Sequence, residues 1–313
     1  MVSLFLVFSE NWGKLIMQHI LITGGSGLVG TSVTKNLEAK GKKVAWLSRN
    51  PKKYSQKSFY WDPKKGKIDE EAIEWADAII HLAGAGVAEK RWTEDRKKVI
   101  LDSRLNSSEL LFNTIKKAKE KPQAIVCSSA IGFYGFDTGD RLIFEGDPPG
   151  NDFLADVVRK WEAATDKFQE LNIRTVTFRI GIVLAKEGGA LKEMLKPPVA
   201  APLGSGEQYL SWIFIDDLAR MIEYALENHG LSGIYNAVGP VPVSNRVLTQ
   251  RAAEYKGKPF VNIGVPSFAL KLGLGEMANM VLGGNRVSNE KIEGTGFKFE
   301  YGDLNLALGE IFS

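Results

Sequence analysis

Short apolar runs alternate with longer stretches of helical periodicity along the first two thirds of the chain. Ile20 to Ile22 reads as a first strand, 28–39 as a helix ended by Gly41, and Lys43 to Leu47 as a second strand. A polar, turn-rich stretch follows over 50–67, with Phe59, Tyr60 and Trp61 as a short strand. Ile68 to Trp75 is expected to be a brief helix, and Ala78 to Leu82 the next strand. Residues 92–118 carry a long helix with Val99, Leu105, Leu110, Leu111 and Ile115 at its apolar positions, stopped by Pro122. Ala124 to Ser128, then a helix from Phe153 to Phe168, then Arg174 to Phe178 repeat the alternation. Parallel strands need crossovers of this length, so the expected fold class is α/β: a Rossmann-like, doubly wound parallel sheet.

From about residue 185 the pattern changes. Residues 185–212 hold Pro197, Pro198, Pro202 and the turn Gly204-Ser205-Gly206, and long loops of this kind in compact domains are usually functional. Helices are expected at Asp217 to Glu227, over 244–256 and from Pro266 to Leu274, with a strand returning at Leu231 to Val238. A short aromatic segment and a final helix close the chain. The expected organisation is a Rossmann-like core over 17–184, a smaller C-terminal lobe from 185–205 and 240–313, and a return to the core over 206–239. Val2 to Phe8 resembles the apolar part of a signal peptide. It has no basic lead-in, and Glu10, Asn11 and Trp12 follow instead of a small-residue cleavage site. Residues 1–16 are therefore read as an N-terminal extension, with Met17 as an original start.

Composition narrows the function classes. Of 313 residues, 44% are hydrophobic and 25% charged, enough to bury a sizeable core. Forty basic residues against 37 acidic leave a formal charge of +3, too balanced to imply a nucleic-acid partner. No apolar run reaches the length of a membrane span, so no stable membrane association is expected. One cysteine, Cys127, cannot form an internal disulfide, and three histidines cannot supply a His-rich metal site. A reducing, cytoplasmic setting and no metal are the expectations.

The sharpest chemistry lies after the first strand. Gly24, Gly27 and Gly30 are spaced G-x-x-G-x-x-G between a strand and a helix. Gly24 suits a tight turn, Gly27 would let a pyrophosphate approach the backbone, and Gly30 would let the helix lie close to the sheet. The phosphates would then meet the unpaired N–H groups of a helix start around Leu28 and Val29. The second strand ends Leu47-Ser48-Arg49-Asn50. A carboxylate there would bond ribose hydroxyls, whereas Arg49 would pair with a 2′-phosphate and Ser48 could add a donor. NADP(H) is therefore the expected cofactor, against a solvated Arg49 before the Pro51 turn. Leu82, Ala83 and Gly84 sit where a strand tip would face the cofactor, and Ser128 ends the next strand.

TGGSGLVG, HLAGAGVAEKRW, SSAIGFYG, FLADVVRKWE, RIGIVL, PLGSGEQYLSWIFIDD and GIYNAVGP together resemble the extended short-chain dehydrogenase/reductase superfamily. More narrowly, they resemble its atypical, epimerase-like subgroup. The tail NRVSNEKIEGTGFKFEYGDLNLAL resembles the C-terminal domain of unknown function that this subgroup carries. The resemblance spans about 18–312 and implies an oxidoreductase-like activity on a small polar substrate.

The superfamily's usual catalytic set is Ser/Thr, Tyr and Lys, with the last two in Y-x-x-x-K. Here Ala130, Phe153 and Val157 stand at those places. Proton delivery is then expected from water, Ser129, Tyr134 or the second lobe. Ser129 could equally cap backbone, and Tyr134 could instead lie under the nicotinamide. Arg91 is a candidate substrate-binding cation, and Gln208 and Trp212 are candidate pocket residues. Arg104 faces either the cleft or solvent. Trp161 is expected in the core, His81 to fix the third strand's tip, and Asp216 and Asp217 to cap a helix. A non-catalytic NADP(H) sensor and a nucleotide-sugar epimerase are the alternative functions, and a homodimer is left open.

Overall fold

The computed structural model describes residues 17–313. The reading of 1–16 as an extension lies outside the described residues. The first strands are β1 (His19–Thr23), β2 (Lys43–Ser48), β3 (Ser58–Asp62), β4 (Lys67–Ile68), β5 (Ala78–His81), β6 (Ala124–Ala130) and β7 (Leu142–Ile143). They are followed by β8 (Arg174–Ile180), β9 (Ile182–Leu184), β10 (Tyr209–Leu210), β11 (Trp212–Phe214), β12 (Gly233–Ala237), β13 (Val243–Ser244) and β14 (Arg286–Val287). Eight of them form one sheet in the order β12-β8-β6-β5-β1-β2-β3-β4. All neighbours are parallel except β3 and β4. The strand order reverses between β2 and β5, on either side of β1, which is where doubly wound sheets open a crevice.

Both faces of the sheet are covered, so its central strands are apolar almost without interruption. The period of two still sorts their side chains. Ile20 and Ile22 of β1 meet Val33 and Leu37 of the Leu28–Ala39 helix and Leu218 and Ile222 of the Ile215–Glu227 helix. Leu21, between them, meets Ile79, Leu111, Ile125 and Phe168 on the other face. A further cluster belongs to the C-terminal lobe and joins Leu184, Trp212, Phe214, Leu248 and Leu308.

Four expectations change in detail. Residues 67–68 pair as β4, and the helix expected from Ile68 spans only Glu71–Trp75. Ile100, not Val99, is the buried residue at the start of the Glu94–Lys117 helix, because Val99 lies on the solvent side of the same turn. The segment 185–212 is not one long loop. It holds a short helix, Ala190–Met194, and Ala200 and Leu203 bridge to Phe260 and Val265. Asp217 does not cap its helix, whose start has no side-chain cap. Its buried carboxylate instead accepts the N–H groups of Glu300 and Tyr301 (2.9 and 2.8 Å) and pairs with Arg220 at 2.7 Å. That contact ties the C-terminal tail to a helix of the sheet. No helix among the described residues is long and apolar enough to cross a membrane.

Candidate active site at the ends of the central strands

Gly24 leaves β1 with φ +72°, and a Cβ there would lie 3.1 Å from the carbonyl of Leu82. Gly30 is closer still, 2.4 Å from the Gly24 carbonyl oxygen, so the helix rests directly on the turn. Gly25, which the spacing did not single out, faces the indole of Trp46, and a Cβ would enter that ring at 2.3 Å. Gly27 differs from all three. It is exposed, and a Cβ would meet only the Gly24 oxygen, at 3.2 Å. No side chain caps the helix that starts at Leu28. The turn is therefore packed tightly on its inner side and open where a ligand would approach, with free N–H groups and the positive end of a helix facing outward. Leu28 and Val29 are half-buried, Leu28 against the C-terminal lobe. This cradle fits a dinucleotide's pyrophosphate.

At the end of β2, Ser48 Oγ accepts the Asn50 N–H at 3.1 Å. Arg49 is exposed and has no ion pair among the described residues. At the end of β5, Thr23 Oγ1 accepts the N–H groups of both Leu82 and Ala83 (3.1 Å each). Its own proton must then go to His81 Nδ1, 2.8 Å away. That fixes the tautomer. His81 carries its proton on Nε2, donates to Ser108 Oγ at 3.1 Å, and Ser108 donates to the Arg104 carbonyl at 2.9 Å. Burial pushes the His81 pKa down to about 4, in keeping with a neutral ring. Ser128 Oγ donates to the His81 carbonyl at 3.1 Å. The backbone of Leu82, Ala83 and Gly84 is thus held from two sides.

Beyond the tips of β6 and β8 lies a cavity of about 290 Å³, closed on its far side by the C-terminal lobe. Ala130, Val157, Trp161, Ile180, Leu210 and Met280 contribute apolar walls. Ala130 and Val157 thus occupy the cavity at the places where the resemblance puts a serine and a lysine. Phe153 does not line it and makes an edge contact with Trp92 at 5.1 Å. Arg104 does line it. Its Nη1 donates to the carbonyls of Ala85 (3.1 Å) and Ile100 (2.9 Å), and its guanidinium lies 4.8 Å from the Trp161 ring centre. Burial, with Arg96 nearby, pushes the Arg104 pKa down to about 10, so it stays a cation at neutral pH. The choice between cleft and solvent is settled for the cleft by Ala85, whose carbonyl turns the side chain inward.

Ser129 and Tyr134 sit elsewhere, in a buried polar network. Ser129 Oγ donates to Glu162 Oε1 at 2.5 Å. Glu162 grips Arg179 through two 2.8 Å bonds, and Arg179 donates to the Tyr134 hydroxyl at 3.0 Å. Tyr134 donates to Asn236 Oδ1 at 2.7 Å. Burial holds the Tyr134 hydroxyl above its ordinary pKa, so it stays protonated. Neither residue lines the cavity. Both hydroxyls are committed to this network, Ser129 to the Phe153–Asp166 helix and Tyr134 to β8 and β12, rather than to the cavity.

The candidate substrate residues are also redistributed. Arg91 is exposed beside Gly275, away from the cavity walls. Gln208 spends its amide on the carbonyls of Leu203 and Val281 (3.0 and 2.9 Å). Trp212 is fully buried and donates to the Val241 carbonyl at 3.0 Å. The residues between these two, Tyr209, Leu210 and Ser211, reach the cavity instead. Asn285, from the lobe, was not foreseen. It lines the cavity and donates to the Gly135 carbonyl at 3.2 Å. An asparagine between strand fragments gave no periodic signal that could have marked it.

A doubly wound sheet, a glycine turn open at one residue and a capped cavity at the strand ends define a Rossmann-like protein built around a dinucleotide site. The model of the NAD dependent epimerase/dehydratase family matches residues 20–152, and that of the domain of unknown function DUF1731 matches 265–311. The Bacillus subtilis epimerase family protein YfhF is 35% identical over 300 residues, covering 94% of this chain and 98% of that protein. The human epimerase family protein SDR39U1 (isoform 2), solved with NADPH, superposes with a TM-score of 0.83 at 32% identity, covering 94% of this chain and 99% of that one. A nucleoside-diphosphate sugar epimerase from Corynebacterium glutamicum gives 0.76 at 29% identity, covering 98% of this chain and 61% of that one. The chain belongs to the NAD dependent epimerase/dehydratase family, in its epimerase-like, extended short-chain branch with the C-terminal DUF1731 domain.

Proposed function

We propose that this protein binds NADP(H) and transfers a hydride between the nicotinamide and an oxygen-bearing carbon of a small substrate in the capped cavity. The observation that carries this reading is that an exposed phosphate turn, an unpaired Arg49 and a cavity covered by the C-terminal lobe all follow the C-terminal ends of strands of one sheet. The N–H groups beyond Gly27 would hold the pyrophosphate. Arg49, with Ser48, would hold a 2′-phosphate, and the human relative solved with NADPH supports that choice over NAD. Leu82, Ala83 and Gly84 would bracket the ribose, stiffened by Thr23 and His81. When bound, the nicotinamide supplies the hydride chemistry. Oxidation of an alcohol would release its hydroxyl proton as the hydride leaves carbon, and reduction would take one up. With Ala130 and Val157 on the cavity wall, that proton would pass to or from water or the substrate itself.

Epimerisation, in which a hydride is taken from a sugar carbon and returned to its other face, is the second reading. The family model and the names of the relatives favour it. The two readings separate in one experiment. The purified protein is mixed with NADP+ or NADPH and a panel of small carbonyls, alcohols and nucleotide sugars, while nicotinamide absorbance and product are followed together. Net cofactor conversion supports hydride transfer between two substrates. A changed sugar with no net conversion supports epimerisation. Tight NADPH binding with neither makes the protein a sensor. Failure to bind NADPH overturns the proposal.

A further inference from the structure

We infer that the cavity recognises a carboxylate, seated on Arg104 against Trp161, on a substrate whose remaining body is apolar. This rests on the reading of the cavity as the substrate site and adds a class of substrate to it.

Arg104 is the only residue of full charge among those lining the cavity, and no carboxylate lines it. Its Nη1 is anchored on two backbone carbonyls, but Nη2 and Nε have no acceptor among the described residues. The face of Trp161 holds the guanidinium plane. A Cβ at Gly84 would stand 3.2 Å from its Cζ, so the guanidinium is pressed against the tip of β5. Anchored from three sides with a donor edge left over, the side chain is preorganised for an external acceptor.

A second unpartnered donor lies in the same wall, beneath its surface. Trp161 is buried, lines the cavity, and its indole N–H has no partner. Two other polar groups on the walls, the Ser211 hydroxyl and the Asn285 amide nitrogen, are already committed. Ser211 donates to the Asn285 carbonyl and accepts the Val287 N–H, while the Asn285 amide serves Gly135. The wall therefore offers the free donor edge of Arg104 and its positive charge, and no carboxylate. An anion with two acceptor oxygens satisfies that set, and a guanidinium meets a carboxylate in a two-pronged geometry.

The rest of the cavity asks for hydrocarbon. Val157, Ile180, Leu210 and Met280 offer no hydrogen bonds. Each sugar hydroxyl buried against them would lose its water without a replacement. At about 290 Å³ the space also falls at the lower edge of ordinary ligand pockets, near 300 Å³. A small aryl or branched-chain oxo or hydroxy acid matches both features better than a nucleotide sugar.

The test uses the full chain and matched probes: 3-phenylpropanoate, its neutral amide 3-phenylpropanamide, phenylpyruvate and UDP-glucose. Binding is read by calorimetry and by tryptophan fluorescence, since Trp161 lies under the charge. The acids should bind at least about 10-fold tighter than the amide, the loss expected for one charge-assisted pair. Arg104→Met should bring acid and amide to parity, and Arg104→Lys should restore part of the preference. Trp161→Phe should weaken the acid without abolishing the preference. Circular dichroism and NADPH titration of each variant establish that the fold persists. Equal binding of acid and amide to the unmodified protein overturns the inference. So does a preference that survives in Arg104→Met, or UDP-glucose binding tighter than either acid. Gly27→Val separates the two proposals: it should remove NADPH binding and leave acid binding to the free protein intact. An unmodified protein that binds acids but no NADPH overturns the cofactor reading alone.

Discussion

The two ends of the candidate site are built by different means. At the dinucleotide end, recognition is a property of the backbone. Gly24, Gly25 and Gly30 are each crowded on the Cβ side by several neighbouring atoms, whereas Gly27 is exposed and meets a single one, the Gly24 oxygen at 3.2 Å. Side chains matter there mainly by being absent. At the cavity end, recognition is a property of side chains brought together from 104, 130, 157, 161, 210 and 280, on five different elements. Damage should follow the same division. Backbone recognition fails when a Cβ is added, and side-chain recognition fails when a functional group is removed.

The largest effect expected comes from adding atoms at the turn. Gly27→Val should abolish measurable NADPH binding while the thermal midpoint falls only slightly, since its Cβ meets one backbone oxygen at 3.2 Å. Gly25→Ala should do the reverse first, destabilising the fold by about 1–3 kcal/mol through overlap with Trp46. Calorimetric titration beside thermal unfolding distinguishes them, and equal binding losses with equal stability in both would break the contrast between open and packed glycines.

Next in size is the pH dependence carried by His81. Its folded pKa of about 4 lies below the unfolded value near 6.5. Above 6.5 the ring is neutral in both states and costs nothing. As pH falls from 6.5 to 4 the unfolded chain takes a proton that the fold refuses, so stability is lost, by about 3 kcal/mol in all. Urea unfolding from pH 7.5 to 4.5 should show this slope, and His81→Asn should flatten it at the expense of baseline stability. An unchanged slope in the variant would mean that other groups carry it.

Arg49→Ala should weaken NADPH by about 1.5–3 kcal/mol and leave NADH nearly unchanged. Equal affinities for the two cofactors in the unmodified protein would remove the 2′-phosphate from the comparison. Smallest of all should be the gain from restoring the familiar pair. Phe153→Tyr with Val157→Lys should give no rise in NADPH turnover, because position 153 faces Trp92 rather than the cavity. A rise would show that the cavity still fits the usual chemistry.

The sequence by itself determined the parts that depend on local spacing. A strand, a glycine turn and a helix in succession dictate the phosphate cradle within thirteen residues, and apolar runs between long helices dictate the parallel sheet. Arg49 was legible because it ends the second strand. The vacancy of the usual catalytic set was legible too, since Ala130, Phe153 and Val157 follow from alignment to motifs alone. Gly25 was not, because its partner, Trp46, lies on the neighbouring strand β2, brought beside it only by sheet pairing. Nor was the division of labour among polar side chains. Ser129 and Tyr134 stand in the right motif, yet Glu162, Arg179 and Asn236 converge on them from three other elements and take their hydroxyls. Trp212 carries the aromatic surface of a pocket residue, but its side chain packs wholly inside the lobe's core, whereas Leu210 and Ser211 also reach the cavity. Arg104 looked like any helical arginine until the Ala85 carbonyl and Trp161 ring, nineteen and fifty-seven positions away, came to lie beside it. Local spacing fixes backbone geometry, whereas the partner a side chain meets is set by long-range contacts, and only the tertiary structure decided those.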